Sequence, residues 1–249
     1  IQLAMQEWFE KIGPEEAAKF QQSLHEKYDQ IYAEISKEME KSVAHKISIS
    51  NGNIEYKTKG EVPGQPLNQF SMDENNGYFR IATTTNDFSG RGSSLNHLYV
   101  LDENMNIVGK VEDLAKGERI FSARFIGDRA YLVTFVRIDP LFVIDLSDPA
   151  NPRVLGELKI PGVSDYLHPY DDTHIIGIGR AADDTQGRVT FNGVKLSLFD
   201  VSDVANPRET AKYEIGSRGT DSEALRDHKA FLFDRKKNLS FLCLKVGKN

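Results

Sequence analysis

A single cysteine, Cys243, occurs among 249 residues. That excludes an intrachain disulfide and any cysteine-based metal site. It lies in the apolar run Leu239–Leu244, so it is expected to be buried and inert. No run of 18 apolar residues occurs, so no helix is long and apolar enough to cross a membrane. The opening residues Ile1–Gln6 are followed soon by acidic ones and do not form a signal peptide. Basic residues are outnumbered, 31 against 37, for a net charge of −6. That balance speaks against a dedicated nucleic-acid binder, because phosphate binding needs a concentrated cationic face. Catalytic signatures are missing too: there is no His-Glu-x-x-His, Gly-x-Ser-x-Gly, Walker-type phosphate loop or paired-cysteine motif. What remains, 39% hydrophobic and 10% aromatic residues, suffices for a folded core.

What the chain does have is a repeat. Asp145-Leu-Ser-Asp-Pro-Ala-Asn-Pro-Arg153 returns as Asp200-Val-Ser-Asp-Val-Ala-Asn-Pro-Arg208, seven of nine positions matching at an offset of 55. Each copy follows an apolar run, Leu141–Asp145 or Leu196–Asp200. A degraded copy, Leu98–Asp102, precedes the first at an offset of 43. The longer interval reads as the same unit with a polar insertion over Arg180–Gly193. Asp145 and Asp200 are placed to accept hydrogen bonds from backbone amides further along, as in Asx turns. Pro152 and Pro207 fix φ and cannot extend a ladder. A second apolar run leaves each turn, which makes a hairpin.

A second kind of hairpin alternates with the first. Its strands are Phe70–Asp73 with Gly77–Ala82, Ala123–Ile126 with Arg129–Phe135, Tyr166–Tyr170 with His174–Ile178, and Ala230–Phe233 with Leu239–Leu244. Their turns are short and rich in Asp, Asn and Gly. Two alternating hairpins give four antiparallel strands in a period of about 40–45 residues, the signature of a propeller blade. A β-sandwich carrying an accidental duplication is the competing architecture, since sandwiches also space their strands regularly.

Asn68–Thr85, the two Asp-x-Ser-Asp-x-Ala-Asn-Pro-Arg turns and Asp227–Asp234 resemble a bacterial and archaeal family of secreted β-propeller domains distantly related to WD-40 repeats. The resemblance covers about residues 45–246. It implies a mainly β fold of four-stranded blades and a secreted or envelope-associated location. It supplies no catalytic residues.

Counting Lys46–Ser50 and Ile54–Val62 as an opening half, the chain holds about four blade equivalents, near the lower limit for closing a propeller. Residues 45–249 are therefore expected to form part of a larger propeller. Leu239–Leu244 would otherwise be an unpaired apolar edge. Either further blades exist or the last half-blade pairs with the first.

Residues 1–44 differ in kind. Met5, Trp8, Phe9 and Ile12 share one helical face, and Gly13-Pro14 breaks the chain. Ala17, Phe20, Leu24, Tyr28, Ile31, Ile35 and Met39 then recur at spacings 3-4-4-3-4-4, close to a straight helix. That helix would run about 45 Å at about 1.5 Å per residue. It is either a cap packed on the propeller or a projecting arm for self-association.

Function is read from the loops. Those expected to share the upper rim, 86–96, 137–140, 180–194, 114–119, 161–164 and 216–223, carry Arg91, Arg119, Arg180, Asp183, Asp184, Arg188, Arg218 and Asp221. Their mixed charge suits a protein, peptide or polar ligand. His168 and His228 lie at innermost strands, which line the central channel. Gly90-Arg-Gly92 offers amides to an anion. Asp171-Asp172 and Asp183-Asp184 offer oxygens to Ca2+, although neither matches a calcium-loop spacing; no other cofactor is expected. The leading expectation is a non-enzymatic extracellular binding or scaffold module. The alternative is a hydrolase or lyase at the channel, using His228, Asp227 and rim carboxylates. Self-association through the helix or an open blade edge is the third possibility.

Overall fold

The computed structural model describes residues 2–86, 94–135, 139–160, 162–185 and 188–246; the side chains of 2–12, 139, 160, 184, 185, 188 and 189 fall outside the described set. Three four-stranded antiparallel sheets follow one another along the chain. The first contains β3 (Met72–Asn75), β4 (Tyr78–Thr85), β5 (Leu95–Leu101) and β6 (Ile107–Leu114). The second contains β7 (Arg119–Ile126), β8 (Arg129–Phe135), β9 (Asp139–Asp145) and β10 (Arg153–Ile160). The third contains β11 (Val163–Pro169), β12 (His174–Thr185), β13 (Arg188–Asp200) and β14 (Arg208–Ile215). Each is ordered as the chain runs. The hairpin β1 (Lys41–Ser50) and β2 (Asn53–Pro63) precedes them, and the hairpin β15 (Phe231–Asp234) and β16 (Leu239–Leu242) follows. Three complete blades and two half-blades make about four blade equivalents.

The matching nonapeptides occupy equivalent corners, joining third to fourth strands in successive blades, and their side chains repeat the same bonds. Asp145 accepts from Ser147 N at 3.0 Å and Asp200 from Ser202 N at 2.9 Å. Asp148 accepts from Ala150 N at 3.0 Å and Asp203 from Ala205 N at 3.2 Å. Arg153 and Arg208 reach back to Asp145 and Asp200. These local rings close each corner without help from neighbouring blades.

Successive blades interlock through glycine. A Cβ at Gly156 in β10 would lie 2.2 Å from Val204 O, in the next blade's corner. At Gly109 in β6 it would lie 2.1 Å from Pro149 O, and at Gly60 in β2 2.5 Å from Met105 O. Only the absence of a side chain lets each corner seat on the preceding fourth strand.

The core is correspondingly split into layers between blades. Leu98, Leu132 and Ile144 pack between the first and second blades. Val143, Leu167, Ile175 and Phe199 pack between the second and third. Ile178 and Val194 meet Phe231 of the last hairpin, and Val62 of the first hairpin meets Ile81 and Tyr99. Sheets covered on both faces bury successive residues of a middle strand, as β5 does along its whole length.

Two expectations are corrected. The insertion over Arg180–Gly193 is not a loop: β12 and β13 extend as a ribbon, pairing Ala182 with Phe191 and Asp183 with Thr190. Val189, Thr190 and Phe191 supply the β-branched and aromatic residues that favour a strand. Cys243 is exposed rather than buried. Leu242 and Leu244 face the apolar layer under the third blade, and strand alternation turns Cys243 the other way, with Phe241.

The helix α1 (Gln2–Met39) is broken at Gly13, whose φ of 78° and ψ of 163° are not helical, and Pro14 follows inside it. It leads into β1, a third-strand position, so it stands on the face that carries second-to-third strand connections. Phe20, Leu24, Tyr28, Ile31, Ile35 and Met39 are all exposed. A polar face makes the contact instead. Lys37 Nζ lies 2.8 Å from Asp113, and Lys116 Nζ 2.6 Å from Asp29. The buried Glu40 carboxylate accepts from Asn86 N at 2.8 Å and Asn86 Nδ2 at 2.6 Å.

Candidate functional site at the propeller axis

The innermost strands of the first blade and of the last hairpin are both interrupted. In the first, Gln65 bridges to Thr84, the chain leaves the sheet, and a 3-10 turn (Gln69–Ser71) returns it to β3. The Asn68 side chain caps that turn by accepting from Phe70 N at 2.9 Å. In the second, Asp221 bridges to Lys245, and two 3-10 turns (Glu223–Leu225 and His228–Ala230) precede β15. Ser222 and Asp227 cap these by accepting from Ala224 N and Lys229 N. A strand pins its side chains to alternate faces, whereas these excursions carry theirs onto the axis.

They meet β11 there. Phe70, Tyr166, His228, Asp165 and Arg226 bound a cavity of about 220 Å³, with Asn68 and Gln69 on its wall. The Phe70 and His228 rings meet edge to face at 4.6 Å, and Tyr166 lies 5.4 Å from Phe70 and 6.0 Å from His228. Gln69 Nε2 approaches His228 Nε2 at 3.4 Å. Arg180 grips Asp165 with two donors, at 3.0 and 3.3 Å. Arg226 does the same to Asp221 at 2.7 and 3.0 Å and reaches Glu223 at 3.3 Å.

The electrostatics follow burial. Desolvation raises the Asp165 pKa despite its arginine partner, whereas the hydrogen bonds from Arg226 lower that of the half-buried Asp221. Burial also raises the Tyr166 phenol. Further along the axis, Tyr166 Oη and His168 Nδ1 are 3.0 Å apart, and the His168 ring packs 5.4 Å from both Phe231 and Phe233. The His168 pKa is lowered, first by burial and then by the positive charge of Arg124.

Of the residues singled out in the sequence, Arg180, Asp221, His168 and His228 come to this site. Arg119 lies apart, beside a second cavity of about 250 Å³ with Gln65, Leu67 and Asn86. Asp183 sits on the projecting ribbon, held by Asn192 at 2.5 Å. Arg218 is exposed in the turn before the last hairpin. Arg91 and the Gly90-Arg-Gly92 loop lie outside the described residues, as do the side chains of Asp184 and Arg188. Asp227 is 3.7 Å from His228 but is engaged as a turn cap. The Asp171 carboxylate is taken by Thr173 N and His174. Among the described residues, no group of three or more His, Cys, Asp or Glu side chains is arranged to hold a metal ion. Sequence reasoning missed Phe70, Asp165, Tyr166, Arg124 and Arg226. The signal for the excursions was present in Asn68-x-Phe70 and Asp227-x-Lys229, whose first residues are turn caps.

Blades in tandem around a recessed, aromatic-walled cavity define a β-propeller with an axial site. Comparison narrows this class. Residues 20–248 match the beta propeller domain family, and the chain belongs to it. It is 42% identical over 238 residues, 96% of its length, to an uncharacterized protein of Methanocaldococcus jannaschii. It is 40% identical over 231 residues, 93% of its length, to an uncharacterized protein of Archaeoglobus fulgidus. The chain spans about a third of the length of these curated relatives, 36% and 34%.

Proposed function

We propose that the chain is a non-enzymatic extracellular binding or scaffold module that recognises a protein, peptide or polar ligand where the axial cavity opens. The observation that carries this reading is the composition of the cavity wall. Segments from the first blade, the third blade and the last hairpin supply three ring faces beside two arginine–carboxylate pairs. Tyrosine and arginine are among the residue types that dominate binding energy at interfaces. A concave apolar pocket with a few convergent polar groups is the usual form of a ligand site. The location outside the cytoplasm rests on the likeness to secreted propeller domains.

Selection from a displayed random-peptide library tests the reading. Enriched peptides should lose at least about tenfold in affinity to Tyr166→Ala or Arg226→Glu, as central interface residues do. Enriched peptides indifferent to both substitutions would overturn it.

A further inference from the structure

Among the described residues, Arg124 forms no ion pair. It lies on β7, half-buried, with its Cζ 4.7 Å from the centroid of the Phe70 ring. Arg80, Arg180 and Arg226 each hold a carboxylate. Among the described residues, no carboxylate lies within 4.0 Å of Arg124. Its guanidinium nitrogens are not among the buried unpartnered polar atoms, so they keep access to solvent. Stacking occupies only its faces. Among the described residues no acceptor takes the N–H edge, which has the fork geometry that fits two oxygens of one group.

The neighbouring innermost strand completes the arrangement. Arg124 stands opposite Tyr131 and His168 opposite Ile176, so both lie toward the hairpin ends of β7 and β11. The closeness of the two is also visible in the depression of the His168 pKa by Arg124. When the Tyr166 hydroxyl donates to His168 Nδ1 across their 3.0 Å separation, the neutral imidazole carries its proton on Nε2 and becomes a donor there. The axis thus offers a fixed guanidinium edge beside a neutral ring donor, within aromatic walls made by Phe70, Phe231 and Phe233.

We propose that Arg124 anchors an oxyanion-binding site on the propeller axis, assisted by His168, that holds a carboxylate or phosphate group of the bound ligand. This rests on the reading of the axis as a recognition site and specifies the charge of what enters it.

The test is an NMR titration of the whole chain, following Arg124 Nε–H and His168 Cε1–H. Sodium acetate and sodium phosphate are added in separate arms, with chloride exchanged to keep ionic strength constant. Saturable shifts at both reporters are expected in at least one arm, and the arm that saturates identifies the group. Arg124→Gln should weaken that binding at least about tenfold, and Arg124→Lys by less, because a lysine keeps the charge but not the fork. Arg153→Gln, at a blade corner where it pairs with Asp145, should stay within about twofold. The buried His97 resonance reports whether each variant is folded. Shifts no different from those in chloride, or equal affinity in folded Arg124→Gln, would overturn the oxyanion site. Peptides that still need Tyr166 but not Arg124 would then leave the recognition reading standing.

Discussion

Replacing Gly156 by alanine adds one methyl group at the seam between the second and third blades. Its φ is not in the left-handed region, and β10 bulges beside it, between Val154 and Gly156. An alanine there is free of backbone strain. By that criterion alone the change would stabilise the protein by about 0.4–1 kcal/mol, because the unfolded chain loses freedom. The tertiary contact reverses the sign. The new Cβ would lie 2.2 Å from Val204 O and 3.0 Å from Ala205 O. Relaxed heavy-atom contacts settle near about 3.5 Å, so the seam must open by more than about 1 Å. The obstacle is backbone in a corner braced by Asp203 to Ala205 N and Asn206, so no side chain can swing away. Overpacking of this kind costs about 1–3 kcal/mol. For a chain of this size that is a fall in Tm of roughly 2–12 °C. Calorimetry of Gly156→Ala beside wild type measures it, and Gly109→Ala should behave alike against Pro149 O. An unchanged or raised Tm in both would refute the interlock.

Three further outcomes are expected. His97 is fully buried, accepts from Asp113 N at 3.2 Å through Nδ1, and has its pKa held at about 4 by burial, then by Lys37. Between pH 6.5 and 4 the unfolded chain takes up a proton that the folded chain refuses, so stability falls with pH, by about 3 kcal/mol at the lower end. In urea melts, the gap between wild type and His97→Gln should narrow by about that amount over the same range, and a constant gap refutes the assignment. Glu40→Ala strands the Asn86 donors and should cost about 1–3 kcal/mol, whereas Ile31→Lys on the exposed stripe should stay within about 0.5 kcal/mol. Equal losses in thermal melts would mean that the helix seats on its apolar face after all. Cys243 should react with a maleimide in native buffer to one label per chain; protection until denaturant is added contradicts its exposure.

The blade architecture was legible because its information is local. Asp145, Asp148 and their counterparts Asp200 and Asp203 close their corners with bonds spanning two or three residues, so the chemistry of each turn lies within the motif itself. The break at Gly13-Pro14 was readable for the same reason, since proline fixes its own φ and glycine admits the left-handed φ of 78° found here. The helix orientation was not. A stripe from Phe20 to Met39 has the periodicity of a buried face, yet Lys37, Asp29 and Glu40 find partners at Asp113, Lys116 and Asn86, 46 or more residues away. Periodicity identifies an apolar face but carries no information on what covers it.

The axial site divides along the same line. His168 and His228 were singled out because innermost strands face a common axis, which follows from strand order. Phe70, Asp165 and Arg226 escaped because they become neighbours only when ring geometry brings the first blade against the third blade and the last hairpin. Strand alternation, corner chemistry and the spacing of the repeat were written into neighbouring residues and are satisfied by short-range bonds. Which rings wall the cavity, which glycines seat the corners and where Arg124 stacks were decided by packing between blades, where the interacting atoms are far apart along the chain.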